Sequence, residues 1–67
     1  MNISRDKIKI ILADRLMTIN ELARVSGLSR PYLSALINGK KLTIKPITLG
    51  KLAKALGVDV KTLLKEE

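Results

Sequence analysis

The chain lacks two of the residue types on which enzymes most often rely: its 67 residues include no cysteine and no histidine. The absence of cysteine excludes a disulfide framework and a cysteine metal site. The absence of both removes the usual general base and the thiol nucleophile. The sequence also shows no glycine loop for phosphate binding and no metal-ligand cluster. We therefore predict a protein that is not an enzyme and needs no cofactor or metal.

Long apolar runs and large aromatic residues are also missing. The chain has no Phe or Trp and a single aromatic residue, Tyr32. No apolar run approaches the roughly 18 residues of a membrane span. The run at 10–13 is too short for a signal peptide, and Asp14 closes it. The sequence predicts a soluble cytoplasmic protein with an aliphatic core and no membrane partner.

Acidic residues are few and unevenly placed. Thirteen Lys and Arg stand against six Asp and Glu, which gives a net charge of +7. No acidic residue occurs from Leu22 to Val58. The basic residues of that stretch are Arg24, Arg30, Lys40, Lys41, Lys45, Lys51 and Lys54. A positive field attracts polyanions such as nucleic acids. Charge alone leaves open a surface that only solubilises the protein.

One local pattern occurs five times: an apolar residue, a capping residue, and a second apolar residue four positions after the cap. The five sets are Ile3-Ser4-Ile8, Met17-Thr18-Leu22, Leu28-Ser29-Leu33, Ile47-Thr48-Leu52 and Val58-Asp59-Leu63. Each set fits a hydrophobic staple around a helix N-cap. The pattern predicts one all-α domain over 1–67, a compact five-helix bundle with helices at about 5–16, 19–26, 30–37, 49–56 and 60–65.

Apolar spacing within these helices predicts their buried faces. We expect Leu16 to belong to the buried face of the first helix. Leu22, Ala23 and Val25 are predicted to be buried on the second. The connection 39–47 is predicted to be a loop held to the core by Leu42 or Ile44.

The second and third helices carry the clearest local signals. Thr18 and Glu21 have the spacing of a capping box, and Gly27 stands where the second helix must end. Ser29 can cap the third helix, with Pro31 in its first turn. A helix, a short turn with glycine and another helix form the helix-turn-helix plan.

Two stretches carry a resemblance to a known family: TINELARVSGLSRPYLSALINGKK and LGKLAKALGVDVKTLL. They resemble the Cro/phage-repressor (XRE-like) family of helix-turn-helix transcriptional regulators, over about residues 7–64. The resemblance implies a lambda-repressor-like DNA-binding domain of five helices whose third helix reads the major groove. It also implies a bacterial or phage protein, cytoplasmic and nucleoid-associated, that is a homodimer at least on DNA. The resemblance implies no small-molecule ligand.

The third helix, about 30–37, then supplies the expected base contacts: Arg30, Pro31, Tyr32, Ser34 and Ala35. Arg30 can reach guanine O6 and N7, Ser34 a base edge, and Ala35 a thymine methyl group. For Arg30 the alternatives are a phosphate contact or a solvated side chain. Tyr32 can equally be a half-buried packing residue.

The expected phosphate contacts come from helix ends and the basic connection: Thr18, Ser29, Asn38, Lys40, Lys41 and Lys45. Helix N-termini attract anions, although simple capping also explains Thr18 and Ser29. The chain departs from the family at Ile19, where glutamine is common. Pro31 and Ala35 also occupy positions that are often Gln, Arg or Lys.

The sequence therefore predicts a sequence-specific regulator of transcription that binds double-stranded DNA. It would act as a repressor by occupying an operator, with DNA shape supplying part of the specificity. One alternative is a protein-interaction module on the same fold, with a weakly apolar patch of Pro31, Ala35, Ile19 and Ile37. A cationic membrane-surface protein is a third possibility.

Overall fold

The computed structural model describes residues 2–39 and 43–65. Within these residues it contains four α-helices and one 3₁₀ helix, and no named strand. The elements are α1 (Arg5–Asp14), α2 (Ile19–Ser26), α3 (Arg30–Ile37), α4 (Pro46–Leu56) and the 3₁₀ helix (Val60–Leu63). The predicted all-α class is confirmed.

The prediction of five helices is wrong at the fifth, where 60–65 forms only the four-residue 3₁₀ helix. Pairing with the N-terminal segment ends this helix, because Leu64 is extended and bridges to Ile3. The Ser4 amide donates to the Leu63 carbonyl at 2.8 Å, and the Lys65 amide donates to the Asn2 carbonyl at 3.1 Å. These bonds engage backbone groups that a longer helix would have needed.

Three of the five predicted N-caps form, at the starts of α1, α2 and α3. Ser4, Thr18 and Ser29 are the N-caps, and each side chain accepts a hydrogen bond from the amide three residues later. Asp59 stands at the N-cap of the 3₁₀ helix, but its side chain makes no capping hydrogen bond. The buried core contains Ile3, Ile8, Leu12, Leu22, Leu33, Leu36, Ile37, Ile44, Leu49, Leu52, Ala53, Leu56 and Leu63. The capped helices are thus held together by aliphatic packing, with α2 against both α3 and α4.

Helix α4 begins three residues earlier than predicted, at Pro46. Proline presets the helical φ at the first position and has no amide that needs a partner, so it starts the helix. Thr48 consequently lies inside α4 rather than at its N-cap, and Ile47 is exposed. The predicted staple at Ile47 is therefore wrong. The predicted loop is held to the core by Ile44, which is buried, whereas Leu42 lies outside the described residues.

Helix α1 ends at Asp14, two residues before the predicted end. Leu16 has a φ of +53°, and 89% of its surface is exposed. Its predicted place on the buried face is wrong, since the chain has already left the helix. Val25 is also exposed, because it lies on the flank of α2 beyond the buried stripe.

We expect Leu16→Gly to raise the free energy of unfolding by about 0.5–1 kcal/mol. A left-handed φ costs an L side chain roughly 1–2 kcal/mol, and the flexibility of glycine in the unfolded chain offsets part of that gain. Urea denaturation measures the change. Leu16→Ala is the matched control, because it removes the same exposed side chain but keeps a Cβ. Equal stability of the two variants would contradict the strain at this position.

Two arginines connect α1 to the C-terminal ends of other helices. The Arg5 guanidinium lies against Gly39, after α3, so closely that a Cβ on Gly39 would overlap it. The Arg15 guanidinium lies 3.6 Å from where a Cβ on Gly57 would stand, just after α4. A cation is favourable at the negative end of a helix dipole. Arg5 therefore links α1 to the end of α3, and Arg15 links it to the end of α4.

Candidate nucleic-acid interface

The interface begins at the N-terminus of α2, where Thr18 and Glu21 form the predicted capping box. The Thr18 amide donates to Glu21 Oε1 at 3.0 Å, and the Glu21 amide donates to Thr18 Oγ1 at 3.1 Å. The backbone and side-chain hydrogen bonds from Thr18 lower the pKa of Glu21, and the charge of Arg24 adds to this effect. The box thus fixes the start of α2 with an ionised carboxylate.

The turn between α2 and α3 is fixed by glycine and serine. Gly27 has a φ of +74°, and its amide donates to the Ala23 carbonyl at 3.0 Å. The Ser26 hydroxyl accepts a hydrogen bond from the Leu28 amide at 3.2 Å. Because Leu28 also packs against the core, the turn has little freedom and sets the direction in which α3 leaves it.

Helix α3 has a buried face and an outer face. Leu33, Leu36 and Ile37 are buried against the other helices. Arg30 and Pro31 are exposed at the N-terminal end, where Ser29 caps the helix by accepting from the Tyr32 amide at 3.3 Å. The outer face therefore presents a cation and a proline ring first, and small side chains after them.

Two predicted contact residues of α3 bind each other. Asn38 Nδ2 donates to Ser34 Oγ at 3.1 Å. Ser34 is half-buried, as is Ala35, whereas Asn38 is exposed. The bond orients the Ser34 hydroxyl and holds the Asn38 amide group at the end of α3. The i, i+4 spacing of Ser34 and Asn38 was the signal that could have revealed this pair.

A shallow groove of about 790 Å³ separates the start of α3 from the segment that leads into α4. It brings together three of the predicted contact residues, namely Ser29, Tyr32 and Lys45. Thr43 and Thr48 also line it, although neither was a predicted contact residue. The groove thus combines hydroxyl groups and one cation beside the outer face of α3.

The N-terminus of α4 opens towards this groove. Its N-cap is Lys45, and among the described residues no side chain caps its first amides. Those amides carry the positive end of the helix dipole, which adds to the charge of the Lys45 ammonium. This feature was not predicted, because the helix was expected to begin at Leu49 and it begins at Pro46.

The remaining predicted contact residues lie elsewhere. Thr18 caps α2 and does not line the groove. Arg30, Pro31, Ser34 and Ala35 belong to the outer face of α3 rather than to the groove. Lys40 and Lys41 lie outside the described residues.

Two of the four residues predicted for the weakly apolar patch of the protein-interaction module are not available on the surface. Ile37 is buried, and Ile19 is half-buried and packs against the core. Only Pro31 and Ala35 remain on the outer face of α3. Over residues 2–39 and 43–65, no helix is long and apolar enough to cross a membrane, and no carboxylate cluster could hold a metal ion.

Comparison with known sequences gives two relatives from Bacillus subtilis (strain 168). The HTH-type transcriptional repressor RghR is 36% identical over 59 residues, which cover 88% of this chain and 44% of RghR. The HTH-type transcriptional regulator RghRB is 44% identical over 50 residues, which cover 75% of this chain and 36% of RghRB. The chain thus spans less than half the length of either relative.

Comparison with known structures gives the same fold. The N-terminal DNA-binding domain of SinR from Bacillus subtilis has a TM-score of 0.85 and 28% identity, covering 94% of this chain and 91% of that domain. The restriction-modification controller protein C.AhdI from Aeromonas hydrophila has a TM-score of 0.82 and 23% identity, covering 90% of this chain and 89% of that one, and shows the fold alone. Residues 7–67 match the Cro/C1-type HTH DNA-binding domain, and the chain belongs to that family.

Proposed function

We propose that this chain is a sequence-specific DNA-binding regulator of transcription that represses by occupying an operator. The observation that carries the proposal is the outer face of α3, which presents Arg30 and Pro31 at the end of a rigid turn. This face lies within a stretch, 22–58, that has no acidic residue. Membership in a DNA-binding family and the name of the repressor RghR support it.

Helix α3 would enter the major groove of DNA by its N-terminal end. The major groove is wide enough for an α-helix, and each base pair presents a distinct pattern of donors and acceptors there. Arg30 would donate to guanine O6 and N7. Pro31, Tyr32, Ser34 and Ala35 would contact neighbouring bases, with Ser34 oriented by Asn38. Because these side chains are mostly small, we infer that DNA shape contributes part of the specificity.

Phosphate contacts would fix the position of α3 relative to the base pairs. The groove beside α3 combines the Lys45 ammonium, the open N-terminus of α4 and the Ser29 hydroxyl, all of which favour an anion. Thr18, Asn38, Lys40 and Lys41 are the further proposed contacts. Phosphate contacts of this kind position a protein on the duplex and carry no sequence information themselves.

The same proposal includes the organisation of the protein. We infer that 1–67 forms one DNA-binding domain that acts as a homodimer on DNA, in the cytoplasm and on the nucleoid. Two-fold symmetry would place the two copies of α3 on half-sites about one turn of DNA, ~34 Å, apart. We infer that the chain has no catalytic activity, because its family consists of DNA-binding domains.

Titration with duplex DNA at several salt concentrations tests the proposal. If three or four cations neutralise phosphates, the logarithm of the binding constant should fall with the logarithm of salt at a slope of about −3 per subunit. Lys45→Gln should make that slope shallower by about 1, because one phosphate contact is lost. Lys54→Gln is the matched control, since Lys54 lies exposed at the other end of α4.

A binding constant that does not change with salt would exclude the nucleic-acid function. A protein partner bound at the outer face of α3, with no shift of DNA at low salt, would favour the interaction module instead. Binding to anionic vesicles but not to duplex DNA would favour the membrane-surface protein.

A further inference from the structure

A second surface of the molecule lies between α1 and the 3₁₀ helix, and no proposed DNA contact belongs to it. Ile10, Ile11, Lys7, Lys61 and Thr62 line a shallow depression of about 490 Å³ there, which we call the α1 patch. Ile10 is 66% exposed although it is a large apolar side chain. Contact with another molecule would remove that apolar area from water.

Asp14 extends the α1 patch along α1 and is unfavourably placed for the isolated helix. It is the last residue of α1, where the helix dipole disfavours a carboxylate, and it is exposed. In the described part of the chain it has no ion-pair partner. The local structure therefore gives no reason for an acidic residue at this position.

Lys7 and Asp14 lie on the same side of α1, because seven residues bring the helix to within about 20° of two full turns. Ile10 and Ile11 lie between them, at the middle of that face. When two such helices pack antiparallel about a two-fold axis between Ile10 and Ile11, residue 7 of one copy faces residue 14 of the other. The face is thus complementary to itself in charge, at residues 7 and 14.

We propose that the α1 patch is the surface through which two copies of this chain associate, with α1 packed antiparallel against α1. The apolar pair then fills the centre of the contact. Lys7 faces the partner's Asp14 at each end, as an isologous interface requires. A separate acidic peptide would match Lys7 and Lys61, but it would leave Asp14 beside like charge. A second copy matches Lys7, Asp14 and the apolar pair.

The proposed contact is small, and each copy carries a charge of +7. We therefore expect weak association in solution, with a dissociation constant on the order of 100 μM. Two half-sites on one duplex would raise the effective concentration and make binding cooperative. The inference rests on the proposed dimeric mode of DNA binding and names the surface that this mode would use.

Exchanging the charges of Lys7 and Asp14 tests, without DNA, whether these two residues face each other in the dimer. Lys7→Glu and Asp14→Lys are purified separately, and self-association is measured by sedimentation equilibrium up to about 1 mM protein. Each variant alone places like charges together at both ends, so its dimer should be at least about fivefold weaker than wild type. An equimolar mixture pairs opposite charges at both ends and should restore association.

Restoration in the mixture cannot come from general attraction, because both variants remain positively charged. Lys9→Glu is the matched control for Lys7→Glu. It makes the same charge change on α1, but on the side that faces away from the α1 patch, about 150° around the helix. Lys9→Glu alone should associate about as strongly as wild type, because it keeps both proposed Lys7–Asp14 pairs.

Lys7 donates to the Leu64 carbonyl at 3.2 Å, so Lys7→Glu is checked first by thermal unfolding. If it does not fold, Ile10→Glu takes its place and should weaken association by a similar factor, because Ile10 is exposed. A wild-type chain that stays monomeric at about 1 mM overturns the proposal. So does a mixture that associates no more strongly than the two charge variants do separately, or an Ile10→Glu variant that associates as strongly as wild type. Binding of the variants to a duplex with one half-site tests the proposed function separately.

Discussion

Leu33→Ala should leave much of the protein unfolded at room temperature. Leu33 is completely buried at the centre of α3 and contacts the core that α1 and α2 share with it. Truncation of a buried leucine to alanine costs about 2–5 kcal/mol, because it removes apolar contacts and leaves a cavity. A domain of this size has only about 3–5 kcal/mol of stability in total. The loss is therefore comparable to the total free energy of unfolding of the domain.

Urea denaturation followed by circular dichroism measures this effect. Ile47→Ala is the matched control, since it truncates a large apolar side chain that is exposed on α4. Its free energy of unfolding should change by about 0.5 kcal/mol or less. A loss below about 1 kcal/mol for Leu33→Ala would mean that α3 is not held by this core.

Arg30→Ala should relax the preference for one base pair by about 1–3 kcal/mol, or roughly 5- to 150-fold. The reason is that a bidentate arginine–guanine contact discriminates among bases, whereas a phosphate contact does not. Selection of bound duplexes from a random library, made with wild type and with the variant, shows which position loses its preference.

Arg30→Lys separates charge from geometry. Lysine keeps the positive charge but lacks the planar fork that matches two acceptors. It should retain nonspecific binding and lose part of the base preference. An equal loss of affinity for all sequences in Arg30→Ala would place the guanidinium on the DNA backbone instead.

The parts of the fold that could be predicted are those that local chemistry determines. The bounds of α2 and α3 agree with the prediction because a hydroxyl cap starts each helix: Thr18 for α2 and Ser29 for α3. Gly27 ends α2 in the left-handed conformation that glycine adopts most readily. Each of these signals acts within one turn of chain, so no distant partner alters it.

The parts of the fold that were predicted wrongly depend on longer-range pairing or on competing local signals. Bonds to the N-terminal segment reduce the fifth helix to a 3₁₀ helix, and no local pattern around Val60 reports that partner. At α4, proline and threonine both signal a start, and Pro46 prevails because it comes first and Ile44 anchors the chain just before it.

For the candidate site, the outer face of α3 could be predicted from helical spacing, whereas the groove beside it could not. The groove exists only because the segment at Lys45 folds back against the start of α3. Thr43 and Thr48 become relevant through that contact alone. The contact roles of Arg30 and the other residues of the interface stay predictions that the DNA experiments test.

The bonds between the two ends of the chain also bear on the order of folding. Residues 2–4 and 63–65 meet through the bonds at Ser4 and Lys65, which close a loop of nearly the whole chain. Such closure carries a larger entropic cost than the neighbouring contacts of α2 with α3. We therefore expect the two helices of the proposed DNA-binding surface, α2 and α3, to assemble early and the ends to join late. A nascent chain would then form its proposed DNA-binding surface before its two ends pair.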